Sequence, residues 1–127
     1  MAGSDPWRKA PADLVARFHD AVAGIEGVEV RPMFGYPAAF IGGNLTAGLY
    51  QESVMVRLPD DERAERIAAG WSLFEPMPGR PMREYVALPP EVAGDVAAMR
   101  HWLERAAAHV RTLPPKPPKP PKKPKGA

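Results

Sequence analysis

There is no cysteine anywhere in the 127 residues. A disulfide framework, a zinc–thiolate centre and a thiol nucleophile are therefore excluded. Lysine is nearly missing from the first 113 residues, where Lys9 stands alone beside 11 arginines. No apolar run approaches the ~18 residues of a membrane span, and the opening "MAGSDPWRK" has no hydrophobic signal core. The expectation is a cytoplasmic protein without membrane contact. Serine is scarce: Ser4, Ser53 and Ser72 are the only ones, and none sits in a Gly-x-Ser-x-Gly turn. Of three histidines, His19 is expected at the surface or core boundary of a first helix. His101 and His109 are eight apart, about 12 Å along a helix, too far to share a metal. "GGNLTAG" is rich in glycine but lacks the lysine of a phosphate loop. No catalytic residue, metal or cofactor is expected.

What is present begins with an uneven distribution of charge. The formal net charge is +2, but "PPKPPKPPKKPKGA" at the C-terminus holds five lysines and no acid. The other 113 residues carry 12 basic against 15 acidic side chains, about −3 in total. Basicity thus belongs to a tail, which weakens any reading in which the body itself grips a phosphate backbone. Seven prolines in those 14 residues exclude helix and sheet. The tail is expected to be disordered and to sample polyproline II, with Lys116, Lys119, Lys122 and Lys125 along one edge, roughly 9 Å apart, and Lys123 beside them.

Periodicity divides the rest. Residues 1–9 are expected to be a flexible lead-in and 10–113 one folded domain. Leu14, Phe18, Val22 and Ile25 recur at helical spacing after Pro11, a first helical stripe. From Val28 the period changes to that of strands. Gly42–Gly43 between "YPAAFI" and "NLTAGLY" is a strong hairpin signal, and "SVMVRL" follows as a further strand. "LPDDERAERIAAG" predicts a short second helix, with acids in its first turn and a Glu62–Arg66 pair one turn apart. "MREYVAL" alternates as a strand. A single long helix of about 22 residues, roughly 33 Å, is expected from Pro90, on Val92, Val96, Met99, Leu103, Ala106 and Val110. The fold class is α+β: two layers, a mostly antiparallel sheet, and three helices in the order α, three or four strands, α, two strands, α.

Two stretches stand out, "RPMFGY" at 31–36 and "RPMREY" at 80–85. Each proline fixes φ and removes a donor, which suits a strand start or an edge. Gly35 permits a tight bend, and Met33, Tyr36, Met82 and Tyr85 offer apolar surface. Structural use of both stretches is the favoured reading. The functional reading places Arg31 and Arg80 at one edge, above Met33, Phe34, Gly35, Tyr36, Met82 and Tyr85, to receive a partner's carboxylate or phosphate. Their flanks, "GYPAAF" and "EYVALP", do not match, so a duplication is not inferred.

With these stretches placed, the chain resembles the TfoX N-terminal domain family over about residues 10–111. The resemblance rests on "RPMFGYPAAFIGGNLTAGLY", "VMVRLP" and "FEPMPGRPMREYVALPPEV" in that order, followed by Trp102. It implies a small two-layer fold like that of secretion chaperones and a link to regulators of natural competence. Full-length competence regulators carry a second domain where this chain has its Pro/Lys tail.

Three functions follow as expectations. The first is a non-enzymatic regulatory or adaptor domain that binds a protein through a sheet edge or apolar patch. The second is a nucleic-acid accessory protein, with weak, non-specific and salt-sensitive contacts from Lys116, Lys119, Lys122, Lys123 and Lys125. The third is a small-ligand binder or enzyme with a pocket near Arg31, Arg80 and Tyr85. An open strand edge can also pair with its own copy, so monomer and homodimer both stand.

Overall fold

Two adjacent glycines set the centre of the sheet. Gly42 and Gly43 both have positive φ, +57° and +81°, the backbone that a two-residue hairpin turn demands. They join β2 (Tyr36–Ile41) to β3 (Asn44–Tyr50). The computed structural model describes residues 10–33, 35–77 and 79–115. Within them α1 (Ala12–Val22) leads into β1 (Glu29–Met33), β2, β3 and β4 (Ser53–Arg57). Then come α2 (Asp60–Ala68), β5 (Ser72–Met77), β6 (Arg80–Ala87), α3 (Pro90–Ala93) and α4 (Val96–Val110). The six strands form one sheet in the order β1-β2-β3-β4-β6-β5, and every pairing is antiparallel. The α+β architecture expected from the element order is present.

The main core lies between the sheet and two helices. Successive strand residues point to opposite faces, so Val54 and Val56 turn one way and Met55 the other. Val54, Val56, Ala47, Leu49 and Val86 are essentially buried against Phe18, Met99, Leu103 and Val110 of α1 and α4. Each of these valine, leucine, methionine and phenylalanine side chains contributes about 1.5–3 kcal/mol on full burial. α4 crosses β3 and β4, and α1 lies along α4. Arg17 ties α1 to α3 by donating from Nε to the Ala93 carbonyl at 3.0 Å.

A second cluster occupies the opposite face. Met55, Phe74 and Tyr85 are buried there, with Met33, Leu45, Tyr50 and Met82 packed around them. The rings of Tyr50 on β3 and Phe74 on β5 sit 5.9 Å apart, although β4 and β6 lie between their strands. Three strand spacings would be about 14 Å in a flat sheet. The sheet must therefore curl toward this face. The cause is local: the register moves from Leu73↔Val86 to Phe74↔Met82, one residue on β5 against four on β6. Such an irregularity bends the strand that carries the extra residues.

Two expectations are corrected. The single helix from Pro90 is two helices, because Gly94 ends α3 and Asp95 adopts an extended backbone and caps α4. The Asp95 carboxylate accepts from the Ala97 N–H at 3.1 Å, satisfying a donor at the helix start. Glu62 does not pair with Arg66. It accepts from Arg105 of α4 at 2.9 Å, while the Arg66 guanidinium lies over the rings of Trp71 and Trp102, 5.4 and 5.1 Å from their centroids. Tertiary partners on α4 outcompete the neighbour one turn away, whose contribution is only a few tenths of a kcal/mol.

Candidate functional site

Gly35 has φ +82°, and a Cβ built there meets nothing within 4 Å. Its requirement is thus backbone conformation alone, set by the tight turn that closes Met33 onto Tyr36. That turn delivers the first motif to two places. Met33 of the first stretch and Met82 and Tyr85 of the second belong to the second cluster, so both Arg-Pro-Met stretches contribute to one apolar body. Tyr36 lies 5.4 Å from Tyr50, which continues to Phe74. Phe34 and the side chain of Arg80 lie outside the described residues, as do residues 1–9 and 116–127, which include all five tail lysines. The backbones of Arg31 and Arg80 belong to β1 and β6, with β2, β3 and β4 between them.

Arg31 is half-exposed. Its guanidinium stacks 4.2 Å above Phe40 and pairs with Glu29 at 3.6 Å. Glu29, Arg31 and Phe40 lie on the sheet face away from the main helices. On the other side of β1, a shallow groove of about 280 Å³ runs between the strand and α1. Val15, His19, Val30, Pro32 and Pro37 contribute to it.

Among the described residues β1 is one of two outer strands, β5 being the other, and four of its five residues are exposed. Pro32 stands opposite Pro37. Neither has an N–H, so theirs is a pair that makes no ladder bonds. Alternation then makes Glu29↔Phe40, Arg31↔Ala38 and Met33↔Tyr36 the bonded pairs. The backbone groups of Val30 and Pro32 consequently turn outward. The open edge presents one donor, the Val30 N–H, and two acceptors, the Val30 and Pro32 carbonyls. Pro32 blunts the edge without closing it. Val30 is also 37 % exposed, one of two large hydrophobic residues so placed among those described.

Elsewhere several charged groups are paired across the fold. Arg57 donates two bonds to Glu84 at 2.7 and 2.9 Å and sits 5.8 Å from the Tyr85 ring. The Tyr85 hydroxyl donates to the Leu45 carbonyl at 3.3 Å, and burial pushes its pKa above the ordinary 10.0, with Arg57 opposing. Arg57 and Glu84 are 27 residues apart, and nothing in their local sequence signals the pair. A groove of about 420 Å³ between α2 and α4 includes His101 and His109, but also the Glu62–Arg105 pair. No group of three His, Cys, Asp or Glu side chains suited to a metal occurs among the described residues. No helix there is long and apolar enough to cross a membrane.

The model of the TfoX N-terminal domain matches residues 20–110. The chain belongs to the TfoX N-terminal domain family. Neither the curated proteins nor the solved structures compared with it gave a match. In this TfoX N-terminal domain the two Arg-Pro-Met stretches supply the inner cluster with Met33, Met82 and Tyr85. The same stretch that half-buries Met33 leaves the rest of β1 at the surface. At the other end of the domain, the Pro114 carbonyl accepts from Asn44 Nδ2 at 3.0 Å, so the chain still touches the β2–β3 turn beyond Leu113.

Proposed function

We propose that this domain is a small regulatory or adaptor module that works by holding another polypeptide, not by catalysis. The observation that carries the reading is the open β1 edge. Its outward N–H and carbonyls accept an added strand, and side-chain contacts beside it give selectivity. Arg31, its guanidinium 4.2 Å above the Phe40 ring, offers a cation on one side of that strand. The groove lined by Val15, Val30, Pro32 and Pro37 offers apolar surface on the other. Membership of a family tied to regulation supports the reading.

Val30→Pro tests it. The substitution removes the one outward N–H and leaves the bonds to β2 intact, as Pro32 already does two residues on. The expected outcome is an unchanged thermal midpoint and loss of the strand-dependent partners recovered with the tagged parent chain. Identical recovery by both forms would refute the edge as the contact. A second reading, supported by the segregation of five lysines into the last 14 residues, is a salt-sensitive contact with nucleic acid through Lys116, Lys119, Lys122, Lys123 and Lys125.

A further inference from the structure

We infer that the polypeptide fitting the β1 edge is a second copy of this chain, paired antiparallel about a two-fold axis through Val30. The inference rests on the reading of β1 as the contact edge. It adds the partner and the register.

Four two-fold registers bring outward backbone groups of two β1 strands together, and three of them fail. An axis at Pro32 sets Pro32 against Pro32, with no N–H on either side. An axis at Arg31 places two guanidiniums directly opposite each other, and one at Glu29 places two carboxylates so. Like charges directly opposite are destabilising. The axis at Val30 has neither fault. Each Val30 N–H donates to the other Val30 carbonyl, completing a bonded pair. Glu29 of each copy then stands opposite Arg31 of the other, so both cross-strand pairs are of opposite charge.

The strand is therefore self-complementary in backbone and charge at one register. Glu29 and Arg31 already pair at 3.6 Å within one chain, on a face where their side chains are 69 % and 47 % exposed. Dimerisation merges two such pairs into a ring of four alternating charges. On the helix side the exposed Val30 side chains meet across the axis, beside Pro32 and the α1 residues Val15 and His19. An isologous contact of this kind closes on itself, and the two sheets become one of twelve strands. The contact is small, so the dimer is reversible, with a midpoint between roughly 10 µM and 1 mM.

Sedimentation equilibrium of the full chain, with the Glu29→Arg and Arg31→Glu variants, tests the register. The parent is expected to dimerise with rising concentration. Each single variant puts like charges opposite at both pairs and is expected to weaken association at least about tenfold. An equimolar mixture of the two variants sets two arginines against two glutamates and is expected to associate again. The double variant Glu29→Arg/Arg31→Glu is expected to dimerise as the parent does. A parent that stays monomeric to 1 mM overturns the inference, and so does a dimer indifferent to both single charge reversals. In either of those cases the edge reading is judged separately by the Val30→Pro comparison, which needs no self-association.

Discussion

Truncating Phe74 to alanine examines the curl of the sheet. Phe74 is 5 % exposed and joins β5 to β3 through the Tyr50 ring, 5.9 Å away. Phenylalanine-to-alanine changes in buried sites cost about 3–5 kcal/mol, from lost transfer energy and the cavity left behind. Here the half-buried Met33, Leu45, Tyr50 and Met82 pack against the cluster that holds the ring. Methionines in particular settle into irregular gaps, so the lower end, about 3 kcal/mol, is expected. Against a total stability of 5–15 kcal/mol, typical of a domain, that loss is large. Urea unfolding followed by circular dichroism measures it, with the slope m unchanged if both states keep their exposed area. A double-mutant cycle with Tyr50→Ala should return about 0.5–1.5 kcal/mol of coupling for the ring pair. If β5 and β6 simply extended a flat sheet, Phe74 would not reach Tyr50. The loss would then fall within about 0.5 kcal/mol and the coupling would vanish, refuting the curled arrangement.

Other consequences are as direct. Gly35→Ala places a side chain at φ +82° with free space around it, so it should cost about 1–2 kcal/mol of backbone strain, read as a lower thermal midpoint; a neutral result would contradict the turn. Tyr85 has its pKa raised by burial above 10.0, so its contribution to stability is complete below pH 10 and is lost as pH rises through the folded-state value. Tyr85→Phe should flatten that alkaline decline in urea unfolding, and an unchanged pH profile would count against the burial. Truncation after Leu113 should abolish any low-salt shift of DNA or RNA that the full chain produces, and equal binding by both forms would move the cationic contact into the domain.

Much of the architecture could be read from local chemistry. The Gly42–Gly43 turn, the acids opening α2 and the apolar stripe of α1 each carry their own signal. The break between α3 and α4 had a signal in Gly94, a helix stop, and Asp95, an N-cap residue, but it was masked because Val92, Val96 and Met99 keep helical spacing straight through them. The second cluster was also hidden. The shift in register on β6 falls between Val86 and Met82, so strand alternation does not show that Met82 and Tyr85 serve one cluster. Of the candidate residues, Met33, Met82 and Tyr85 come together because the sheet bends, a property of no single segment. The open edge was half legible: Pro32 marked an edge strand, but its outward direction follows from standing opposite Pro37, a fact of pairing.

The central claim, that the domain acts by gripping a polypeptide along β1, is tested most directly by photo-crosslinking in the source cell. A benzophenone amino acid would replace Val30 in one variant and Ile67, the other exposed large hydrophobic residue, in a second. Protein adducts from position 30, and few from position 67, are the predicted result. Equal yields at both positions, or none at position 30, would contradict the account.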